Sequence, residues 1–213
     1  PRIKPPFPAI KGLFGRPTVI NNVETLVNVL DIVAYGPEHW SSVGTVESPG
    51  TRLFCVSGHI ARPGVYEHPM GVTLRVLLDA AGGVRDDAAL QAIVLGGAAG
   101  VMVGPDYLDV ELSFEGARAA GVTLGSGVVV VLDDSVALRD VVRRAAAFFA
   151  HESCGQCVPC RVGTRLQLEE LERDMVDHDL LGDLDRVMTD ASICGLGQSA
   201  ASFVRSARKM GVL

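Results

Sequence analysis

The first regular pattern of apolar and polar positions begins after residue 22. Asn22 is of a residue type favoured at helix N-caps. Apolar side chains then recur three and four residues apart, which is the spacing of one helix face. The pattern predicts a helix that begins at Asn22 and ends before Gly36. The first 17 residues contain five prolines and two glycines, which predicts an irregular segment. The apolar positions of the helix are Val23, Leu26, Val27, Leu30 and Val33.

The middle of the chain changes to the pattern of short strands. Residues 53–56 and 65–67 read as two strands of a hairpin, because Arg62-Pro63-Gly64 between them is a strong turn signal. Thr73 caps a predicted short helix. Residues 92–95 and 127–132 are apolar runs of buried-strand length. A hairpin, one helix and further strands predict a small sheet of β-grasp type over 49–133.

After residue 133 the pattern becomes helical again. Ser135 is placed to cap a helix that runs to residue 149, and further helices are predicted over about 161–176, 180–190 and 197–210. Together with the preceding sheet, this predicts an α+β chain whose last part, 134–213, is a helical bundle.

Composition narrows the function classes. Of the 213 residues 48% are apolar, and the net charge is −6 with a pI near 5.3. Such a chain lacks the basic patches that nucleic acid or an anionic membrane attracts. No run of 18 apolar residues is present, so we expect no membrane insertion. The Pro-rich start without Met leads us to expect that residue 1 is not the start of the natural product.

Cysteine spacing carries the strongest chemical signal. Four of the five cysteines lie in the last 60 residues, a distribution that fits a metal or cluster site in a reducing cytoplasm better than a disulfide framework. Cys154, Cys157 and Cys160 form a C-x2-C-x2-C motif, and Cys194 can supply the fourth thiolate of a 4Fe–4S cluster. A structural four-cysteine zinc site is the alternative. Cys55 stands alone in an apolar strand, and we interpret it as a core residue and not a ligand.

Several motifs together resemble one family. The segment His-Glu-Ser-Cys-Gly-Gln-Cys-Val-Pro-Cys-Arg-Val-Gly-Thr at 151–164 resembles the cluster loop of the NADH-binding flavoprotein subunit of respiratory complex I. The same subunit type serves as the diaphorase of NAD-dependent formate dehydrogenases and NAD-reducing hydrogenases. The segments 4–8 (Lys-Pro-Pro-Phe-Pro), 15–18 and 21–25 resemble the part of that family that leads out of the flavin domain, and 62–67 resembles its soluble-ligand-binding β-grasp domain.

The resemblance implies a function and a domain organisation. It implies an NADH:acceptor oxidoreductase subunit in which NADH passes a hydride to FMN, and electrons then leave singly through the 4Fe–4S cluster to a partner. Asn21 and Asn22 are the implied flavin contacts, with Thr25 as a further candidate. Residues 1–48 would be the end of an α/β FMN- and NADH-binding domain. The implied partners are other redox subunits, including an iron–sulfur thioredoxin-like subunit, and the location is cytoplasmic, in the peripheral arm of a membrane complex.

Two departures qualify this interpretation. The family's Gly-rich segment for FMN phosphate and NADH does not occur in these residues, so we expect the 213 residues alone to bind FMN weakly and not to oxidise NADH. After Cys194 the sequence Gly-Leu-Gly-Gln is more typical of the formate dehydrogenase and hydrogenase diaphorases than of complex I. The competing hypothesis is a non-catalytic ligand-binding and scaffold module with a structural zinc site.

Overall fold

The structure, a computed structural model, describes residues 1–3 and 5–213. Lys4, which belongs to the Pro-rich motif, lies outside the described residues. Among those described, no helix combines the length and the apolar character that crossing a membrane requires. The elements before the sheet are helix α1 (Pro8–Lys11), a 3-10 turn (Leu13–Gly15), helix α2 (Val23–Tyr35) and helix α3 (Pro37–Ser41).

A five-stranded sheet occupies the middle of the chain, in the order β2-β1-β5-β3-β4. β1 pairs with β2 in antiparallel and with β5 in parallel orientation, and β3 is antiparallel to both β5 and β4. The 3-residue strand β4 was not predicted, because so short a run has no readable period. The strands are β1 (Thr51–Gly58), β2 (Gly64–Pro69), β3 (Leu90–Leu95), β4 (Val101–Val103) and β5 (Val128–Asp133).

One face of the sheet packs on helix α4 (Leu74–Ala80) and helix α5 (Phe114–Ala119). Thr73 caps α4 as predicted, since its hydroxyl accepts a hydrogen bond from Val76 N. Helix α5 was not predicted, so the expectation of a single packed helix is wrong. The core of this face includes Phe54, Val56, Leu74, Leu77, Leu78, Ile93, Leu95, Ala117, Val129 and Val131.

The interpretation of Cys55 as a core residue is wrong, because its side chain is exposed. Successive side chains of a strand point to opposite faces of the sheet. Phe54 and Val56 point into the core, so Leu53 and Cys55 point away from it. All four residues are apolar, and the sequence alone therefore does not say which pair faces the core.

The opposite face of the sheet packs on the helices that follow it. Buried residues of β3, β4 and β5 share one core with helices α6, α7, α8 and α10, so the sheet and the helices are not packed independently. The helices are α6 (Leu138–Glu152), α7 (Val158–Leu171), α8 (His178–Ala191), α9 (Gly195–Ser199) and α10 (Ser202–Lys209). This shared core includes Ala92, Val94, Met102, Leu132, Val142, Ala146, Leu171, Leu181, Phe203 and Val204.

Three helices differ from the prediction. Ser135 does not cap α6, since its hydroxyl donates to Asp133 Oδ1 at 2.5 Å and forms a turn before the helix. Ala137 is the N-cap residue instead, without a side-chain hydrogen bond. The helix expected over 197–210 is divided into α9 and α10. Helix α7 begins three residues before the expected 161, which places Cys160 in its first turn.

The segment that precedes the sheet is attached to strand β1 and to helix α5 through carboxylates. Glu24, in the first turn of α2, accepts a hydrogen bond from Leu53 N at 2.8 Å. Ser48 donates to Glu115 Oε2 at 2.6 Å, and Thr45 donates to Glu115 Oε1. These two hydroxyls lower the pKa of Glu115 to about 2, because they stabilise its charged form.

Candidate metal centre

The loop between α6 and α7 carries Cys154 and Cys157, the first two cysteines of the predicted ligand set, in a constrained conformation. Gly155 has φ of +77°, a left-handed value that glycine adopts without steric cost. Its N–H donates to Ser153 Oγ at 3.3 Å, and its carbonyl accepts from Arg161 Nη1 at 2.9 Å. The loop is therefore held from both flanking helices, and Cys154 and Cys157 lie on either side of its turn.

Cys160 lies in the first turn of α7 and is only 4% exposed. Burial raises the pKa of its thiol, and a contact with Ser153 Oγ at 3.3 Å acts in the opposite direction. The pKa is raised further by the negative charges of the other three cysteines of the predicted set, Cys157, Cys194 and Cys154. The fold therefore brings the other three predicted ligands within electrostatic reach of Cys160.

Cys157 is placed differently, because backbone N–H groups stabilise its thiolate. Donation from Ile193 and from Cys160 lowers its pKa, against the opposing effect of burial. The Ser192 hydroxyl also lies close enough to lower this pKa, although it forms no hydrogen bond of ordinary geometry with any described residue. Cys157 thus joins the cysteine loop to the segment that carries Cys194.

Cys194 is the N-cap residue of α9, which packs closely on the start of α7. The contact is made at Gly197. A Cβ added there would lie 2.3 Å from Ser192 Oγ and 2.9 Å from Cys160 Cβ. Gln198 Nε2 fixes the same segment by donating to Ser192 O at 3.1 Å. The absence of a side chain at Gly197 therefore allows the two cysteine-bearing segments to approach each other.

Four cysteine thiolates can hold either a single zinc ion or a 4Fe–4S cluster, and the two differ in how the sulfurs are arranged. A zinc site needs thiolates around one point, each sulfur about 2.3 Å from the metal. Among residues 1–3 and 5–213, no group of three or more His, Cys, Asp or Glu side chains is arranged to hold one ion. A cubane binds each thiolate through a different iron, so its ligands surround a larger volume. The Ser192 hydroxyl, which is close enough to Cys157 to lower its pKa, is buried and has no hydrogen-bond partner among the described residues.

The residues implied as flavin contacts lie at another place in the fold. Asn21 and Asn22 are exposed, and Asn22 Oδ1 accepts a long hydrogen bond of 3.4 Å from Glu24 N as the N-cap of α2. Asn22 and Thr25 line an open cavity of about 400 Å³, together with Arg52 and other residues of the sheet region. The four cysteines are not among the described residues that line it.

Sequence reasoning missed three residues around the cysteines. Ser192 and Gly197 lie close to Cys194 in the chain, but only the packing of α9 on α7 reveals their contacts. Arg2 contacts the cysteine loop from about 150 positions away along the chain. No spacing rule could have found that contact.

Two protein-family models match this chain, one over most of the helices after the sheet and one over most of the sheet region. Residues 140–210 match the model described as the NADH-ubiquinone oxidoreductase-F iron-sulfur binding region. Residues 53–106 match the SLBB domain. The first match contains all four cysteines of the candidate centre, and the second covers the hairpin, helix α4 and strands β3 and β4.

Curated relatives match nearly the whole chain. The F subunit of the Mycobacterium tuberculosis NADH-quinone oxidoreductase is 45% identical over 215 residues, which covers 98% of this chain and 48% of the relative. Its counterpart in Streptomyces coelicolor is 43% identical with the same coverage of both. The NADP-reducing hydrogenase protein HndC of Solidesulfovibrio fructosivorans is 38% identical, with 93% of this chain and 42% of the relative covered. The hydrogenase protein is thus less similar to this chain than the two NADH-quinone oxidoreductase subunits are, so these identities do not support the prediction from Gly-Leu-Gly-Gln that the chain is nearer to the diaphorases.

A solved structure agrees with these matches. A chain of the NAD+-reducing NiFe hydrogenase in the H2-reduced state aligns with a TM-score of 0.82 and 39% identity, over 98% of this chain and 36% of that one. The chain spans about half the length of the curated relatives it matches. It carries an NADH-ubiquinone oxidoreductase-F iron–sulfur binding region and an SLBB domain, and it is homologous to the F subunits of NADH-quinone oxidoreductases over nearly all of its length.

Proposed function

We propose that this chain is part of an NADH dehydrogenase (diaphorase) subunit that passes electrons from NADH through FMN and a 4Fe–4S cluster to a partner subunit. The observation that carries the proposal is the convergence of four cysteine thiols where α6, α7 and α9 meet. The matched iron–sulfur binding region contains all four, and the relatives are named as NADH-quinone oxidoreductase and hydrogenase subunits.

In this proposal Cys154, Cys157, Cys160 and Cys194 hold the cluster. When bound, a 4Fe–4S cluster accepts and releases one electron at a time. The protein surrounds the site with neutral donors that lower the cost of the thiolate charges. The N–H groups of Ile193 and Cys160 donate to Cys157, and the Ser153 hydroxyl contacts Cys160. Hydrogen bonds to ligand sulfurs are among the features that set the reduction potential of such clusters.

We assign residues 1–48 to the end of an FMN- and NADH-binding α/β domain, with Asn21, Asn22 and Thr25 as flavin contacts. Helix α2 supports this assignment, because none of its residues is buried although its sequence is largely apolar. Val33 on this helix is 80% exposed. A helix with apolar side chains around its surface is normally covered by other structure. In this proposal the remainder of the flavin domain covers it.

The finer domain organisation follows from the same assignment. Residues 49–133 are a β-grasp, soluble-ligand-binding domain, and 134–213 are the helical bundle that carries the cluster. The partners are other redox subunits of a multisubunit complex, including an iron–sulfur thioredoxin-like subunit. The complex is a complex I or an NAD-dependent formate dehydrogenase or hydrogenase. Its NADH-oxidising part lies in the cytoplasm, as the peripheral arm of a membrane complex where the acceptor is a quinone.

Anaerobic reconstitution with iron and sulfide tests the ligand assignment. The wild-type chain should bind about four iron and four sulfide per chain and show broad visible absorption that dithionite bleaches. Replacing any one of the four cysteines with Ala should abolish stable loading, because each thiolate supplies one of the four bonds that hold the cluster and with it part of the binding free energy. Cys55→Ala is the matched control and should load normally. A colourless protein with one tightly bound zinc would contradict the proposal.

The flavin assignment needs a separate measurement. We expect the 213 residues alone to bind FMN weakly and to leave NADH unoxidised, because neutral hydrogen bonds contribute only about 1 kcal/mol each against the cost of immobilising a ligand. The same residues within the longer protein should bind FMN and reduce ferricyanide with NADH. There, Asn22→Ala should weaken FMN binding, whereas normal flavin content in that variant would remove Asn22 from the site.

A further inference from the structure

We infer that Pro1 and Arg2 form a clasp on the cysteine loop, and that Arg2 is a positioning residue for the iron–sulfur site. The inference rests on the proposed function, since it concerns the same four-cysteine centre. It adds a residue outside the matched iron–sulfur binding region, which begins at residue 140.

The backbone of the clasp is hydrogen-bonded to both sides of the loop's turn. Arg2 N donates to Cys154 O at 2.7 Å. The Gln156 side-chain amide donates to Arg2 O. Between these contacts, a Cβ added at Gly155 would lie 3.2 Å from Pro1 Cα, so the clasp lies directly against the turn. The carbonyl of a ligand residue is thereby fixed by a segment about 150 positions away.

The Arg2 side chain makes a second attachment, to the end of α6. Its Nη2 donates to His151 O at 2.8 Å, and its Nη1 lies 4.0 Å from Glu152 Oε2. Carbonyls of a last helical turn lack intrahelical partners, and a cation there also interacts favourably with the helix dipole. The Arg2 side chain is 58% exposed, so this ion pair contributes little to global stability. Its effect is local to the loop that begins at Ser153.

The clasp affects two properties of the centre. Cys154 is exposed, so the loop that carries it lacks the packing that holds Cys160, and the Arg2 backbone supplies that restraint. The guanidinium also places a positive charge beside the loop, and a positive charge favours addition of an electron to a nearby cluster. Removing the guanidinium takes away this positive charge, and among the described residues it leaves the Glu152 carboxylate with only the contact to His151 Nδ1 at 2.9 Å, so the negative charge of Glu152 is less well balanced. Both changes make the cluster harder to reduce.

Four variants separate the side-chain and backbone roles of Arg2. Arg2→Ala removes the guanidinium and retains the N–H, whereas Arg2→Pro removes both. Arg2→Lys retains the charge. Arg186→Ala removes an exposed arginine of α8 that pairs only with Asp183 at 3.5 Å among the described residues, and it is the matched control. Each variant is reconstituted anaerobically with iron and sulfide as the full 213-residue chain, and its urea unfolding midpoint is measured before loading.

We expect all four variants to unfold near the wild-type urea concentration. Arg2→Ala should shift the midpoint reduction potential of the cluster to a more negative value. The potential is measured by redox titration of the electron paramagnetic resonance signal of the reduced cluster. Arg2→Lys should restore most of that shift, and Arg186→Ala should leave the potential unchanged. Arg2→Pro should in addition load less iron and sulfide than Arg2→Ala, because the bond to Cys154 O is lost.

The outcomes also separate this inference from the proposed function. If the wild-type chain binds no cluster, the proposed function fails. If the wild-type chain loads normally while Arg2→Ala keeps its potential and Arg2→Pro keeps its loading, the clasp has no role at the centre and the inference is overturned. Gln156→Ala provides an independent check, since it removes the donor to Arg2 O and should also reduce loading.

Discussion

The close approach of α9 to α7 makes Gly197 a sensitive position beside the candidate centre. In Gly197→Ala the new methyl would lie 2.3 Å from Ser192 Oγ, 2.5 Å from Ser192 Cβ and 2.9 Å from Cys160 Cβ. Ordinary contacts begin at 3.4 Å, so α9 must move away from Cys160 on α7 by about 0.5 Å and from the Ser192 side chain by roughly 1 Å. Metal–ligand distances tolerate only about 0.2 Å. The substitution should therefore impair cluster loading.

The effect on stability follows from two opposing contributions. Alanine gains up to about 1 kcal/mol over glycine in a helix, and overpacking a tight contact costs about 1–3 kcal/mol. The apo chain with Gly197→Ala should therefore lose up to about 2 kcal/mol of unfolding free energy. Gly195 begins the same helix and has no atom within 4 Å of an added Cβ. Gly195→Ala should be neutral or stabilising by up to about 1 kcal/mol and should load normally.

The assay measures iron and sulfide per chain after anaerobic reconstitution, together with urea unfolding of both apo variants. Gly197→Ala should load clearly less than Gly195→Ala and unfold at a lower urea concentration. Equal loading and equal unfolding midpoints in the two variants would refute the reasoning, because the contact between α9 and Cys160 would then have room for a methyl group.

Three further predictions concern the sheet region. The hydroxyl groups around Glu115 hold its pKa at about 2, below the ordinary 4.5. The stability that this carboxylate contributes is therefore present above pH 4.5 and is lost as the pH falls toward 2. Glu115→Gln should weaken the pH dependence of the urea midpoint over this range, whereas Glu111→Gln at an exposed position should not. Leu77→Ala should cost about 2–5 kcal/mol of unfolding free energy, since Leu77 is fully buried, and a loss no larger than that of the half-exposed Val76→Ala would contradict the assigned core. Cys55, exposed on β1, should react with a thiol reagent in the folded, cluster-loaded chain; protection of Cys55 would show that another part of the protein covers this face.

Much of the secondary structure followed from periodicity alone. The helical spacing after Asn22, the strands around 53–56 and 127–132, and the cap at Thr73 depend on neighbours within a few residues, and the structure contains each of them. Strand β4 and helix α5 were missed because elements of 3 and 6 residues are too short to display a period. Ser135 was assigned to the wrong role because a serine before a helix can serve either as a cap or in a turn.

The sequence by itself predicted the ligand set of the candidate centre and showed the family resemblance, because the C-x2-C-x2-C spacing and the surrounding motif are local properties of the chain. Only the tertiary structure decided which face of β1 is buried, that the sheet and the helices share a core, and that Gly197 packs against Cys160. It alone brought Arg2 to the cysteine loop. These features depend on contacts between segments far apart in the chain, and such contacts form only when burial of the shared core brings the segments together.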